Sequence, residues 1–200
     1  MNVKIIIKNI WLLLSSIRLI PHICFINKEV VKLDLERWSS ILLDKKPDTT
    51  CNIIYSFIEL MTYYPEYRSV FYHRLKLIGK ILSPLCPAMP TLYIDTQDIA
   101  PGLFIQHGFS TIMAANKIGT NCWINQQVTI GYSNDTDCPT IGNNVTINAG
   151  AKVIGNITIG DNVKIGANAV VIKDVPENCT VVGIPAYIVR RNGVKTKEIL

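Results

Sequence analysis

The chain of 200 residues carries little charge: 18% of it is Asp, Glu, Lys or Arg, against 48% apolar residues. That balance excludes a disordered polypeptide and fits a globular one. No block of Lys and Arg is long enough to follow a phosphate backbone, so nucleic acid is not an expected partner. The six cysteines (Cys24, Cys51, Cys86, Cys122, Cys138 and Cys179) form no C-x-x-C pair and follow no secretory signal. Reduced thiols in a cytoplasmic protein are expected. A G-x-S-x-G nucleophile elbow is missing, and residues 1–90 hold no Gly-rich phosphate loop. Histidine is scarce as well: there are three, and only His107 falls within residues 91–200.

Long apolar runs are also lacking. Ile5–Ile7, Ile10–Leu14, Ile17, Leu19 and Ile20 are strongly apolar, but Lys8 and Arg18 interrupt them before they reach the length of a membrane span. An amphipathic helix packed on the protein or a partner is expected, in preference to a peripheral membrane contact. Residues 1–90 hold 12 Lys/Arg against 7 Asp/Glu, whereas 91–200 hold 8 of each. The basic excess reads as a solvated polar face. Apolar spacing predicts helices over Leu33–Leu43, Ile53–Tyr63 and Tyr67–Leu82, with Asp48, Thr49 or Thr50 as an N-cap before the second. Pro84, Pro87 and Pro90 end the helical part.

From Leu92 the period becomes six. Ile118, Ile124 and Ile130 are in register, and after a gap come Ile141, Ile147, Val153, Ile159, Ile165 and Val171. A fixed short period marks a solenoid, in which each repeat buries its apolar residue by stacking on its neighbours. Glycine recurs at the second hexad position (Gly119, Gly131, Gly142, Gly160, Gly166), as expected of a tight corner. Two irregularities interrupt the array. Ile105 and Ile112, the next residue taken as in phase, are seven apart, and the step from Ile130 to Ile141 inserts a loop within Tyr132–Thr140. A scaffold this regular needs no histidine for stability, which makes His107 a candidate catalytic residue. His22 and His73 lie in helical sequence and read as packing or surface residues.

The stretch "IGNNVTINAGAKVIGNITIGDNVKIGANAVVIKDVPENCTVVGIPAYIV" (141–189), with "GLFIQHG" (102–108) and "INQQVTIG" (124–131), resembles the hexapeptide-repeat acyltransferases, and specifically serine O-acetyltransferase. The segment "YYPEYRSVFYHRL" (63–75) is similar to that family's N-terminal region. The resemblance implies an α+β fold: an α-helical domain (1–90), a left-handed parallel β-helix catalytic domain (91–189) and a C-terminal tail (190–200). It further implies a homotrimer or hexamer, acetyl-CoA as co-substrate and no metal.

His107 matches the family's catalytic histidine, a general base toward the acceptor hydroxyl. Gly131, Ala149 and Ala167 match positions along the coenzyme A arm, and Lys164 a basic position beside its nucleotide end. Three positions depart from the pattern. Gln106 stands where the family has a substrate-contacting Asp, Leu92 where it has the acid that orients the histidine, and Asp137-Cys138 where it has an Arg-His pair. Asp95 and Asp98 are the candidates to replace the acid.

L-serine is the acceptor the resemblance implies. The departures keep open a sugar hydroxyl, and the ending Glu198-Ile199-Leu200 keeps open a non-catalytic partnership with O-acetylserine sulfhydrylase. A zinc site of three histidines on neighbouring coils is excluded, since His107 is alone in the repeats.

Overall fold

The computed structural model describes residues 3–200, which divide between Met89 and Pro90 into two compact units. The first is helical: α1 (Val3–Ile23), α2 (Glu29–Leu42), α3 (Thr50–Tyr63), α4 (Pro65–Leu75) and α5 (Leu77–Leu82), closed by a 3-10 turn at Ser83–Leu85. Thr49 caps α3, its hydroxyl accepting the Asn52 N–H at 3.2 Å. The stripe over Tyr67–Leu82 predicts one helix, yet the chain breaks at Lys76, where φ is 53°. Gly79 supplies the reason. A Cβ there would stand 2.1 Å from the Tyr72 carbonyl oxygen, so α5 folds back until its backbone touches α4.

Trp38, Phe57, Tyr67 and Phe71 form the centre of this unit, with Trp38–Tyr67 and Phe57–Phe71 meeting edge-on at 5.3 Å. Arg74 and Asp34 make a buried ion pair at 2.8 Å. His22 is fully buried. Its Nε2 lies 3.0 Å from the Tyr72 hydroxyl, which donates to the Cys86 carbonyl at 2.7 Å.

The second unit is a parallel β-solenoid of about five turns. Its strands in chain order are β1 (Leu92–Ile94), β2 (Asp98–Ile99), β3 (Phe104–Ile105), β4 (Thr111–Met113), β5 (Lys117–Ile118), β6 (Trp123–Ile124), β7 (Thr129–Gly131) and β8 (Thr140–Ile141). There follow β9 (Thr146–Ile147), β10 (Lys152–Ile154), β11 (Thr158–Ile159), β12 (Lys164–Ile165), β13 (Val170–Val171), β14 (Cys179–Val182), β15 (Tyr187–Arg191) and β16 (Val194–Ile199). Three sheets make the three faces. Face A runs β1-β4-β7-β10-β13, face B β2-β5-β8-β11, and face C β3-β6-β9-β12-β14.

Inward aliphatic residues stack coil on coil, as in Ile105↔Ile124↔Ile147↔Ile165↔Val181, each almost wholly buried. On face A the inward ladder is Met113, Ile130, Val153 and Val171. Ile112, expected in phase, instead points outward and is 44% exposed.

Glycine and asparagine divide the corner work. Gly119, Gly142 and Gly160 do not adopt positive φ. They allow close stacking: a Cβ on Gly142 would lie 2.9 Å from the Ile159 carbonyl oxygen. The left-handed backbone falls to Asn121, Asn144, Asn162 and Asn178 at φ 55–59°. Asn143 and Asp161 tie neighbouring corners together, Asp161 accepting from the Asn143 N–H at 2.7 Å. Residues 190–200, expected as a tail, largely belong to the antiparallel β15–β16 pair added to face C, with Arg191 and Glu198 joined at 2.7 Å.

Candidate active site

His107 stands at the corner between faces C and A, just after β3. The corners above it have a regular shape: Gln127, Gly150 and Asn168 each take positive φ three residues after the inward residue of face C. They stack through Gly150 N–H to the Gln126 carbonyl and Asn168 N–H to the Ala149 carbonyl, at 3.0 and 2.9 Å. Gln127 N–H donates in the same way to the Phe109 carbonyl at 3.0 Å, so Ser110 is the matching residue of the His107 coil. Ser110 follows Ile105 by five positions instead of three.

The two extra residues therefore lie within Gln106–Phe109. They push the turn outward, with His107 at φ 63° and Gly108 at φ 29°, and Phe109 N–H donating to the His107 carbonyl. This also explains why Ile112 falls out of phase. His107 is exposed on this bulge, which departs from the regular shape of the three corners above it. Strained backbone of this kind is commonly kept at functional positions.

Beside it, Gln106 is held from the next coil. The Trp123 indole N–H donates to Gln106 Oε1 at 3.2 Å and to Asn125 Oδ1 at 2.9 Å, while the ring packs edge-on against Phe104 at 4.5 Å. An indole N–H can only donate, so the engaged atom of Gln106 is its oxygen, and its NH2 is the group turned to other partners. Sequence reasoning missed Trp123 and Asn125. The signal was there: from Trp123 to Val171 the residue before the inward aliphatic of each strand is otherwise Thr, Lys or Val, and Trp123 alone at that position is aromatic.

The other candidates are distributed. Ala149 and Ala167 lie on the His107 corner, one and two coils above Gln127, in steps of about 4.8 Å. Gly131 ends β7, at the far edge of face A, and Lys164 begins β12, at the far edge of face C. Asp98 does not join them: it sits on face B, 3.8 Å from Lys117 across the coil. Asp95 follows β1 at the corner between faces A and B and is exposed. Among the described residues no carboxylate hydrogen-bonds to the imidazole, and none of them forms a group of three or more His, Cys, Asp or Glu able to hold a metal ion.

The 132–139 loop leaves the corner between faces A and B, across face A from His107. Asp137 is turned into the loop, accepting from the N–H groups of Ser133 at 2.7 Å and Asn134 at 3.0 Å and from the Ser133 hydroxyl. That hydroxyl, more than any other group, holds its carboxyl below the usual range. Cys138 is buried, its Sγ 3.0 Å from Asn116 Oδ1. In this chain the pair fastens the loop and offers no cation.

Residues 138–173 match the model of the family described as "Bacterial transferase hexapeptide (six repeats)". The serine acetyltransferase of Synechococcus elongatus is 39% identical over 71% of this chain and 64% of its own length. That of Staphylococcus aureus strain Mu50 is 39% identical over 70% of this chain and 72% of its own. The chain thus spans just under two thirds of the cyanobacterial relative.

Among solved structures, Neisseria gonorrhoeae serine acetyltransferase in complex with serine superposes with a TM-score of 0.60, at 30% identity, covering 79% of this chain and 67% of that one. The Brucella abortus enzyme in complex with coenzyme A gives 0.60 at 27% identity, covering 88% and 73%. A hexapeptide-repeat solenoid whose relatives are 39% identical over about 70% of the chain places the chain in the serine acetyltransferase family.

Proposed function

We propose that the chain is an acetyl-CoA-dependent O-acetyltransferase acting on the hydroxyl of L-serine, with His107 as general base. The observation that carries this is the bulged corner, which sets one imidazole clear of a repeat otherwise without one. In the reaction the imidazole takes the acceptor hydroxyl proton as that oxygen attacks the thioester carbon. Backbone N–H groups of the neighbouring corners supply donors to the developing oxyanion. The intermediate then expels the coenzyme A thiolate, which recovers the proton from the imidazolium, leaving O-acetylserine and free coenzyme A. Ala149 and Ala167 are small where the pantetheine arm would run along the corner column, and Lys164 suits the nucleotide phosphates. The serine and coenzyme A complexes of the neisserial and brucellar relatives support both substrates.

A second acceptor, a sugar hydroxyl, is favoured by one specific contact. Trp123 occupies the oxygen of Gln106, leaving a neutral donor where an Asp would attract the ammonium of serine. The deciding experiment follows thiol release from acetyl-CoA with L-serine, L-homoserine and simple sugars. Turnover is expected with L-serine at high KM; turnover confined to a sugar overturns the serine assignment and keeps acetyl transfer. The reading includes a homotrimer that can pair into a hexamer, a cytoplasmic location where thiols stay reduced, and O-acetylserine sulfhydrylase as a partner for the exposed Ile199.

A further inference from the structure

Among the described side chains of α1, apolar residues lie on both sides of the helix, and only one side is buried. Leu12, Ser15, Leu19 and His22 face the core of the helical unit. On the other side Ile10, Trp11, Leu13, Leu14, Ile17 and Ile20 are each more than half exposed. At 100° per residue those six span roughly half the circumference. A helix of this composition is ordinarily covered on every side.

The exposed face continues on α5. His22, at the end of α1, comes up against the backbone of Leu82, and on α5 Leu77 and Ile81 are 70% and 68% exposed beside the exposed Lys80. On α1 and α5 the exposed charges among the described side chains are basic, at Arg18 and Lys80. Residues 1–28 contain Lys4, Lys8, Arg18 and Lys28 and no Asp or Glu, and residues 67–94 likewise contain no acid.

We propose that this face lies in the plane of an anionic lipid bilayer, with the outer side of α1 seated among the acyl chains and the basic residues at the headgroups. The physical requirements are those of an interfacial helix: a wide apolar face, an aromatic anchor in Trp11, cations and no anions. No helix among the described residues is long and apolar enough to cross a membrane, so the contact is peripheral. A second copy of the chain could also cover apolar surface. Pairing α1 with itself, however, would bring two basic segments together without an acid in residues 1–28 to offset them, whereas anionic headgroups complement both.

The test is sedimentation of the full-length protein with phosphatidylglycerol/phosphatidylcholine vesicles against phosphatidylcholine alone, together with light scattering. Binding to the anionic vesicles is expected, with a blue shift of tryptophan emission that Trp11→Phe removes. Leu13→Ser with Ile17→Ser should weaken binding at least about tenfold, and Arg18→Glu about fivefold or more. Because all three side chains are exposed, the melting temperature should stay unchanged. Failure to bind anionic vesicles overturns the proposal. So does an assembly that the Leu13→Ser, Ile17→Ser protein loses while vesicle binding is absent from the parent, which would make a second copy the occupant.

Discussion

His107 owes its position to two residues that the neighbouring corners lack, and its loneliness made it legible in the sequence. What surrounds it was not legible. The Trp123–Gln106 contact joins outward positions seventeen residues apart, and a six-residue period reports only which side chains face inward. The same blindness led to Asp95 and Asp98 as partners of His107, although Asp98 lies on another face, paired with Lys117. Replacing His107 by Ala should lower kcat about 10²- to 10⁴-fold while leaving coenzyme A affinity nearly unchanged. Near-normal turnover in a stopped assay of that variant would exclude it as the base. His22 gives a second expectation at this scale. Burial, the largest influence on it, lowers its pKa below the usual value for histidine. The folded state thus disfavours the charged form. Stability is fully present above the unfolded value of about 6.5 and is lost as pH falls through the lower folded value. The melting temperature should drop between pH 7 and 5 in the parent and drop less in His22→Gln.

At the scale of elements, periodicity read the solenoid well because each inward residue meets its equivalent in the next coil. It misread the glycines. Second-position glycine was expected to serve a tight turn, but the turn is made by asparagine two positions later, and the glycine makes room for the next coil's backbone. Two substitutions separate these roles. Gly142→Ala puts a methyl group 2.9 Å from a backbone carbonyl oxygen and should cost about 1–3 kcal/mol by overpacking. Asn162→Ala keeps the space and loses a residue tolerant of φ 59°, costing about 1–2 kcal/mol. Equilibrium unfolding in urea would measure both, and a neutral Gly142→Ala would contradict the stacking role. The break at Lys76 was hidden for a related reason: the apolar stripe runs through it, and only the touch of Gly79 on Tyr72 explains the turn.

For the whole molecule, the expected assembly rests on an apolar face beside the bulge at His107. On β4 Met113 turns inward and Ile112 outward, directly in register with Tyr93 on β1. Ile112 is 44% and Tyr93 64% exposed. Phe109, at the bulge itself, is 43% exposed, so the apolar patch adjoins the candidate base. Burying such side chains on a neighbouring prism stabilises by about 25 cal/mol per Å² of apolar area, and a site beside the patch would be completed by the same contact. The chain of 22.4 kDa should therefore scatter light as a trimer. Ile112→Glu would place a charge in that interface, where burial without a partner is unfavourable. It should yield monomers with the parent's circular dichroism and with activity reduced at least tenfold, since ~1.4 kcal/mol of lost positioning already gives that factor. A fully active monomer, in either protein, would show that one chain is sufficient and that the patch serves another purpose.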